Sequence, residues 1–287
     1  MNSLQNTLQP VTDLQSRLTF QTWRVLRYVV TIGLCLLFLV PIAFAIVASF
    51  KNPSEMANVL SMPGELYLDN FQKGWEQTAP SLLNSIMITL PAVLLSVFIG
   101  AMAAYPLSML PVKKCRFIYI FLLTGMFVPF QIVQIPIFFL MRELGLYNSL
   151  AGLWLVHAAY GVPICTFFMR NFFATVPRSM YEAAQIDGCG PAGFFFKILL
   201  PASVSGLAAL TLVQSRGIWN DLLFAMTLTN DDSTVPVTAK LNSFVTAMQI
   251  DYGSLMASAI ISVLPMLLVF LFFQKAFVRG LLGGSSK

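Results

Sequence analysis

Long charge-free runs of apolar residues alternate along the chain with short polar stretches, and that alternation predicts a bundle of membrane-spanning helices. About 20 apolar residues at 1.5 Å rise cross a hydrocarbon core of about 30 Å. Four runs meet this length plainly: Tyr28 to Phe50, Ser81 to Val112, Phe117 to Met141 and Tyr252 to Gln274. A fifth, Leu144 to Met169, contains Asn148 and His157 but no fixed charge, and also reads as a span. The last starts at Ile198, is uncharged through Ser215, meets Arg216, Asn220 and Asp221, and turns apolar again up to Leu228; it reads as one span with a polar outer end. The expected fold class is an all-α integral membrane protein of six transmembrane helices, with a short helix in the loop between spans 4 and 5.

Composition and charge then fix the orientation. The 287 residues are 57% hydrophobic and 10% charged, against roughly a quarter charged in a soluble domain. Lys and Arg gather in cytoplasmic loops because they resist translocation. Arg17, Arg24 and Arg27, then Lys113, Lys114 and Arg116, then Arg170, Arg178 and Lys197, then Lys275, Arg279 and Lys287 would share one side, twelve residues against Lys51, Lys73, Arg142 and Lys240 on the other. Both termini and the loop between spans 4 and 5 are therefore expected in the cytoplasm. The net charge of +5 follows from this bias and gives no reason to invoke nucleic acid. The chain divides into a cytoplasmic segment (1–24), a transmembrane domain (25–280, with the loop at about 174–197) and a cytoplasmic tail (281–287). The longest external connections, Lys51 to Pro80 and Thr229 to Asp251, leave room for loops with at most a short surface helix. No internal repeat is visible. Ala43-Phe44-Ala45 resembles a signal cleavage site, but the apolar run continues to Phe50 behind a long basic lead, which marks an uncleaved first span.

Missing chemistry narrows the function. There is no phosphate-binding G-x-x-x-x-G-K-[ST] loop, no H-E-x-x-H and no G-x-S-x-G, so neither nucleotide hydrolysis nor a hydrolase site is expected and the chain is read as no enzyme. Cys35, Cys115, Cys165 and Cys189 are scattered without metal or redox spacing and read as unpaired packing residues, with no metal site. His157, with no carboxylate near it in the sequence, reads as a packed side chain rather than a proton relay.

The loop between spans 4 and 5 carries the strongest pattern. Pro177 suits a first helical turn and Gly188 the position past a helix end, which predicts an eleven-residue helix about 16 Å long. Met180, Ala183, Ala184 and Asp187 recur at i, i+3, i+4 and i+7 and share a face. Glu182 suits the helix dipole and Asp187, at the C-terminal end, does not, so Asp187 is expected to cap the next segment, where Gly190-Pro191 starts a second short helix. Taken alone, the pattern also fits a helix lying on the membrane surface.

From Pro177 to Pro201 the sequence PRSMYEAAQIDGCGPAGFFFKILLP resembles the E-A-A loop of permease subunits in binding-protein-dependent ABC importers, and its E-A-A-x-x-D-G form resembles the carbohydrate-uptake branch. Ser49-Phe50-Lys51, Leu83-Asn84-Ser85, Val128-Pro129-Phe130-Gln131, Ile135-Pro136, Trp219-Asn220-Asp221 and Leu264-Pro265 resemble the same branch, and Gly280-Leu281-Leu282 is similar to the ending of the smaller maltose-type permease subunit. The resemblance covers about Arg24 to Lys287. Cys189-Gly190 departs from it mildly, small pairs such as Ala-Ser being commoner there.

The resemblance implies a half-channel in the bacterial inner membrane that pairs with a second permease, rests on two ATPase subunits that hydrolyse ATP with Mg, and receives a sugar or sugar derivative from an extracytoplasmic binding protein. No cofactor is then expected in this chain. The elbow becomes the coupling helix: Met180, Ala183 and Ala184 as its packed face, Glu182 and Asp187 as polar anchors, Gly188 at its end. Polar residues inside spans usually face a cavity or a partner helix. Gln131 and Gln134, between Pro129 and Pro136, mark either a bend along the solute path or a helix contact. Arg216 and Asn220 either line the entry from the binding protein or bond to the partner permease, and Trp219 beside them offers an aromatic face for a sugar ring. Cargo of another class, an amino acid or polyamine, is the alternative. A self-sufficient secondary carrier is the reading from a different class, and it does not explain the elbow.

Overall fold

The computed structural model describes residues 2–58, 61–109, 115–246 and 250–283, and every regular element among them is helical. In chain order these are α1 (Asn2–Ser49), a 3-10 turn (Pro53–Glu55), α2 (Asp69–Met109), α3 (Cys115–Gly125), α4 (Phe130–Glu143), α5 (Leu150–Phe173), α6 (Arg178–Ile186), α7 (Pro191–Phe194), a π turn (Phe195–Leu199), α8 (Leu200–Ala202), α9 (Val204–Trp219), α10 (Leu223–Leu228), α11 (Val237–Val245) and α12 (Tyr252–Gly283). Pro111 and Val112, which close the second apolar run, and the basic residues Lys113, Lys114 and Lys287 lie outside the described residues. So does the tail beyond Gly283.

Four helical stretches are long and apolar enough to cross a membrane alone: Gln21–Ser49, Asp69–Met109, Leu150–Phe173 and Tyr252–Lys275. Two bent pairs bring the number to six, Phe117–Gly125 with Phe130–Glu143 and Pro191–Ala202 with Val204–Trp219. Six spans match the hydropathy pattern, but two of them are broken where straight helices were expected. In the third, the break of 91° falls at Gly125–Pro129 and not between Pro129 and Pro136. Pro129 is the extended N-cap of α4, whereas Pro136 is accommodated inside that helix. A proline biases the residue before it away from the helical region, so the chain leaves the helix just ahead of Pro129.

In the fifth span the bend is 75°. Pro201 has no N–H to donate to the carbonyl four residues earlier. The turn ahead of it widens, and the Leu200 N–H bonds to the Phe195 carbonyl five residues back. The single expected span from Ile198 to Leu228 is thereby corrected: α9 stops at Trp219, and α10 is a separate short helix. The fifth apolar run is corrected as well. Residues 144–149 form a turn, with Gly145 and Asn148 at positive φ (67° and 54°), and α5 begins only at Leu150. The external connection after Lys51 is shorter than expected, because α2 starts at Asp69.

α2 and α5 form the centre of the bundle. A Cβ on Gly100 would overlap the Cys165 side chain, and one on Gly161 would overlap Gln214 and Ser96. Small residues let the two backbones approach this closely in a medium where no hydrophobic force drives helices together. Cys165 is fully buried at that seam, in keeping with a packing role. By contrast, the apolar stretch of α1 buries nothing within the chain and is free for lipid or another subunit.

Candidate functional site

The elbow forms as its sequence predicts, with one change of face. Pro177 is the extended N-cap of α6, Asp187 is the C-cap, and Gly188 follows at φ 77°. The Gly188 N–H bonds to the Gln185 carbonyl at 3.0 Å and the Cys189 N–H to the Ala184 carbonyl at 2.8 Å. This pair of bonds is a Schellman closure. It satisfies the helix end through the backbone, so Asp187 is not needed as the cap that was expected of it, and its side chain is exposed. Gly190 and Pro191 begin the second short helix as anticipated.

The expected common face of Met180, Ala183, Ala184 and Asp187 divides. Ala184 is only 4% exposed and belongs to the chain's own core. It is turned inward because Tyr181, three residues earlier, docks there: its ring meets Phe194 edge-on at 5.0 Å, and Tyr105 of α2 packs on Phe194 and Phe195 at 6.1 and 5.4 Å. Met180, Glu182, Ala183, Asp187 and Gly188 are exposed. Ile186, which the sequence pattern did not single out, is 86% exposed. A helical wheel centred on Tyr181 and Ala184 would have found it, since Ser179, Ala183 and Ile186 lie opposite. Arg170, at the same end of the molecule, donates from Nε to the Leu107 carbonyl at 3.3 Å and lies over the Tyr119 ring at 4.3 Å, joining the ends of α5, α2 and α3.

At the opposite end, the loop 229–237 is tied from several directions. Asn84 of α2 donates to the carbonyls of Asp232 and Val235 at 3.3 and 3.1 Å. The neighbouring Ser85 hydroxyl accepts the Val237 N–H at 2.8 Å. Asn148 donates to the Asp231 carboxylate and accepts from the Asn230 N–H at 3.0 Å and the Thr234 hydroxyl at 2.6 Å. Lys240 pairs with Asp232 at 2.7 Å. Lys51 is only 1% exposed and donates to the Asn58 carbonyl at 2.7 Å. The Leu83-Asn84-Ser85 and Ser49-Phe50-Lys51 motifs thus build the outer end of the bundle.

Arg216, Trp219 and Asn220 line one cavity of about 530 Å³, bounded by α9, α11 and α12, together with Thr238 and Ser262. Trp219 is 7% exposed, so it forms wall rather than the open stacking face expected of it. The Thr238 hydroxyl donates to the Trp219 carbonyl at 2.8 Å. Gln131 and Gln134 sit in the first turns of α4, past the 91° break, and do not line this cavity. The structure therefore brings three of the five path candidates together and leaves the two glutamines apart.

His157 does have a carboxylate beside it: its Nε2 stands 3.7 Å from Asp221 Oδ2. That oxygen also accepts the N–H groups of Phe224 and Ala225 at 3.1 and 3.2 Å, capping α10. The Phe224 ring is packed by His157, Tyr160 and Phe130 at 5.7, 5.3 and 6.0 Å. Sequence distance hid this pair; the fold makes it a buried joint between α5 and α10. Among the described residues, no group of acidic, histidine and cysteine side chains is arranged to hold a metal ion.

Comparison with known proteins identifies the architecture. The model of the family "Binding-protein-dependent transport system inner membrane component" matches residues 96–283. The chain is 32% identical over 242 residues to the diacetylchitobiose uptake system permease protein NgcG of Streptomyces coelicolor, covering 83% of this chain and 80% of that one. It is 32% identical over 279 residues to the arabinooligosaccharides transport system permease protein AraQ of Halalkalibacterium halodurans, covering 93% and 99%. Its fold superposes with a TM-score of 0.78 on a chain from the crystal structure of a bacterial ABC transporter involved in the import of the acidic polysaccharide alginate, at 22% identity and covering 90% and 97% of the two chains. At that identity the likeness is one of fold.

Proposed function

The chain belongs to the family of inner-membrane components of binding-protein-dependent transport systems, and from that premise we propose that it is the permease subunit of an ABC importer for a sugar or sugar derivative. The cargo class is supported by the relatives named for chitobiose and arabinooligosaccharide uptake and by the Glu182-Ala183-Ala184 to Asp187-Gly188 spacing. The chain acts as a half-channel with a second permease, two ATPase subunits that use ATP and Mg, and an extracytoplasmic binding protein. Both termini and the elbow lie in the cytoplasm, as the distribution of Lys and Arg favours.

The observation that carries the coupling role is the two-sided elbow. Its inner face is held on α2 and on the π turn by Tyr181 and Ala184, while Met180, Glu182, Ala183, Ile186 and Asp187 face outward. A cleft in the ATPase takes the outer face, with Met180, Ala183 and Ile186 as apolar contacts and Glu182 and Asp187 as polar anchors. Asp187 is unfavourable against its own helix dipole and exposed, which fits a charge kept for a partner. Gly188 lets the chain reverse without loosening the helix end. Movement of the ATPase pair pulls this lever, and the Tyr181–Phe194–Tyr105 contacts pass it to the spans as a rigid-body switch. Arg216, Trp219 and Asn220 lie on the solute path at the outer end, and Gln131 and Gln134 lie on it past the break before α4.

Affinity purification of the tagged chain in mild detergent, with mass spectrometry and an ATPase assay, tests the reading. The expected result is recovery of an ATPase and a second permease, with hydrolysis stimulated by a sugar-loaded binding protein. Recovery of the chain alone, still transporting in vesicles without ATP, would overturn it.

A further inference from the structure

We propose that the cavity beside Arg216 binds a sugar that carries a carboxylate, such as a uronic acid unit. This inference rests on the sugar-importer reading and adds the charge of the cargo. The cavity holds about 530 Å³, room for more than one sugar ring, and its lining is mostly apolar. A guanidinium in such surroundings is costly unless something answers its charge. No acid among the described residues does so: Asp221 is held by His157 and by the first N–H groups of α10, and Asp232 is held by Lys240. Arg216 is exposed at the last turn of α9, where it reaches the cavity.

The other polar groups there point to the rest of the ligand. The Thr238 hydroxyl donates to the Trp219 carbonyl at 2.8 Å and the Ser262 hydroxyl to the Ala259 carbonyl at 2.7 Å. Asn220 donates from its amide nitrogen to the Arg216 carbonyl at 2.9 Å. With those donors engaged, the two hydroxyls and the Asn220 amide oxygen face a ligand as acceptors. Acceptors beside an apolar wall suit a polyol, which brings hydroxyl donors and C–H faces, and the one guanidinium suits a carboxylate, which it can hold with two parallel bonds. A neutral sugar leaves Arg216 unanswered, and an amino acid or polyamine brings an ammonium to a cavity that already holds a cation.

Trp219 supplies the readout, because it lines the same cavity. The purified complex in lipid nanodiscs is titrated with digalacturonate and with the neutral galactose disaccharide while tryptophan emission is followed. Digalacturonate is expected to bind about tenfold or more tightly than the neutral sugar, the difference that a charge-assisted bond typically makes. R216Q is expected to erase that preference, R216K to retain most of it, and W219F to remove the signal. An equal response to both sugars that R216Q leaves unchanged would overturn the acid preference while the sugar importer stands. A signal that survives W219F would place binding elsewhere and overturn the site. Loss of the second permease from R216Q and its retention by R216K would make Arg216 an interface residue and also overturn it. Silence to both sugars, together with ATP-driven uptake of an amino acid, would instead sink the importer reading itself.

Discussion

The two ends of this molecule treat their polar residues in opposite ways. At the outer end, Asn84, Ser85, Asn148, Asp231 and Lys240 direct their hydrogen bonds at the chain itself, so the loop 229–237 is closed internally. At the elbow the bonds that shape α6 come from the backbone, and Glu182, Asp187 and Ile186 are left outside. A self-satisfied segment positions other groups, whereas an unsatisfied one on a rigid base is built for something to arrive. The contrast is sharpest between two adjacent alanines, Ala183 turned out and Ala184 turned in.

The largest effect that would test this contrast is expected from Glu182→Lys. Charge reversal on the outward face replaces attraction to the ATPase by repulsion. Sugar uptake and sugar-stimulated hydrolysis should fall to background, while the protein remains inserted and at normal abundance in the membrane. Uptake at the parental rate with a stable complex would remove Glu182 from the docking surface.

Next comes the alanine pair. Ala184→Met overfills the seam against Tyr181 and Phe194, and overpacking of this kind costs about 1–3 kcal/mol, to be read as a lower unfolding midpoint in detergent. Ala183→Met leaves that midpoint within the usual surface range of about 0.5 kcal/mol and instead weakens co-purification of the ATPase. If both variants behaved alike, the division of the helix into an inner and an outer face would be wrong.

At the outer end, Asn84→Ala leaves two carbonyls of the loop 229–237 without their donor. An unmade bond at a half-buried site costs about 1–3 kcal/mol. The loop should become cleavable by protease added to the outer face, with assembly on the ATPase unchanged. Protease resistance equal to that of the parent would show that Ser85 and Asn148 hold the loop without Asn84.

Much of this was legible in the sequence, and the part that was not has a physical cause. Charge-free runs locate six spans because lipid demands apolar length, a requirement that each residue meets independently. They cannot show that two of those spans are broken, because Pro129 breaks its helix whereas Pro136, seven residues on, is absorbed by one. The outcome depends on neighbours. The elbow was readable in detail, from Pro177 to Gly188, because caps and turns are set by nearby residues. Its orientation was not, since Ala184 faces inward only because Tyr105, far away in sequence, packs on the Phe194 that Tyr181 meets. The same limit hid the His157–Asp221 pair and the link from Asn84 to the loop 229–237. It also let Trp219 pass for an open aromatic platform when it is nearly all wall.

The smallest expected effect concerns the pH response of the two ends. Hydrogen bonds from Ser233 and then Asn148 hold the Asp231 carboxyl below its ordinary value. A depressed folded value means that this carboxylate's contribution to loop order is fully present above the ordinary aspartate pKa of about 4. It fades as pH falls through the lower folded value. Asp231 is in the solvent, so the change is local and modest: faster amide exchange at Asn230 and Ser233 in acid, with the elbow unaffected. Asn148→Ala should raise the midpoint of that transition toward the ordinary value, while Ser179→Ala, on the elbow, should leave it where it is. Exchange at Ser233 that showed no step in the acid range would mean that the hydroxyl and amide bonds hold the loop whether or not the carboxyl is ionised.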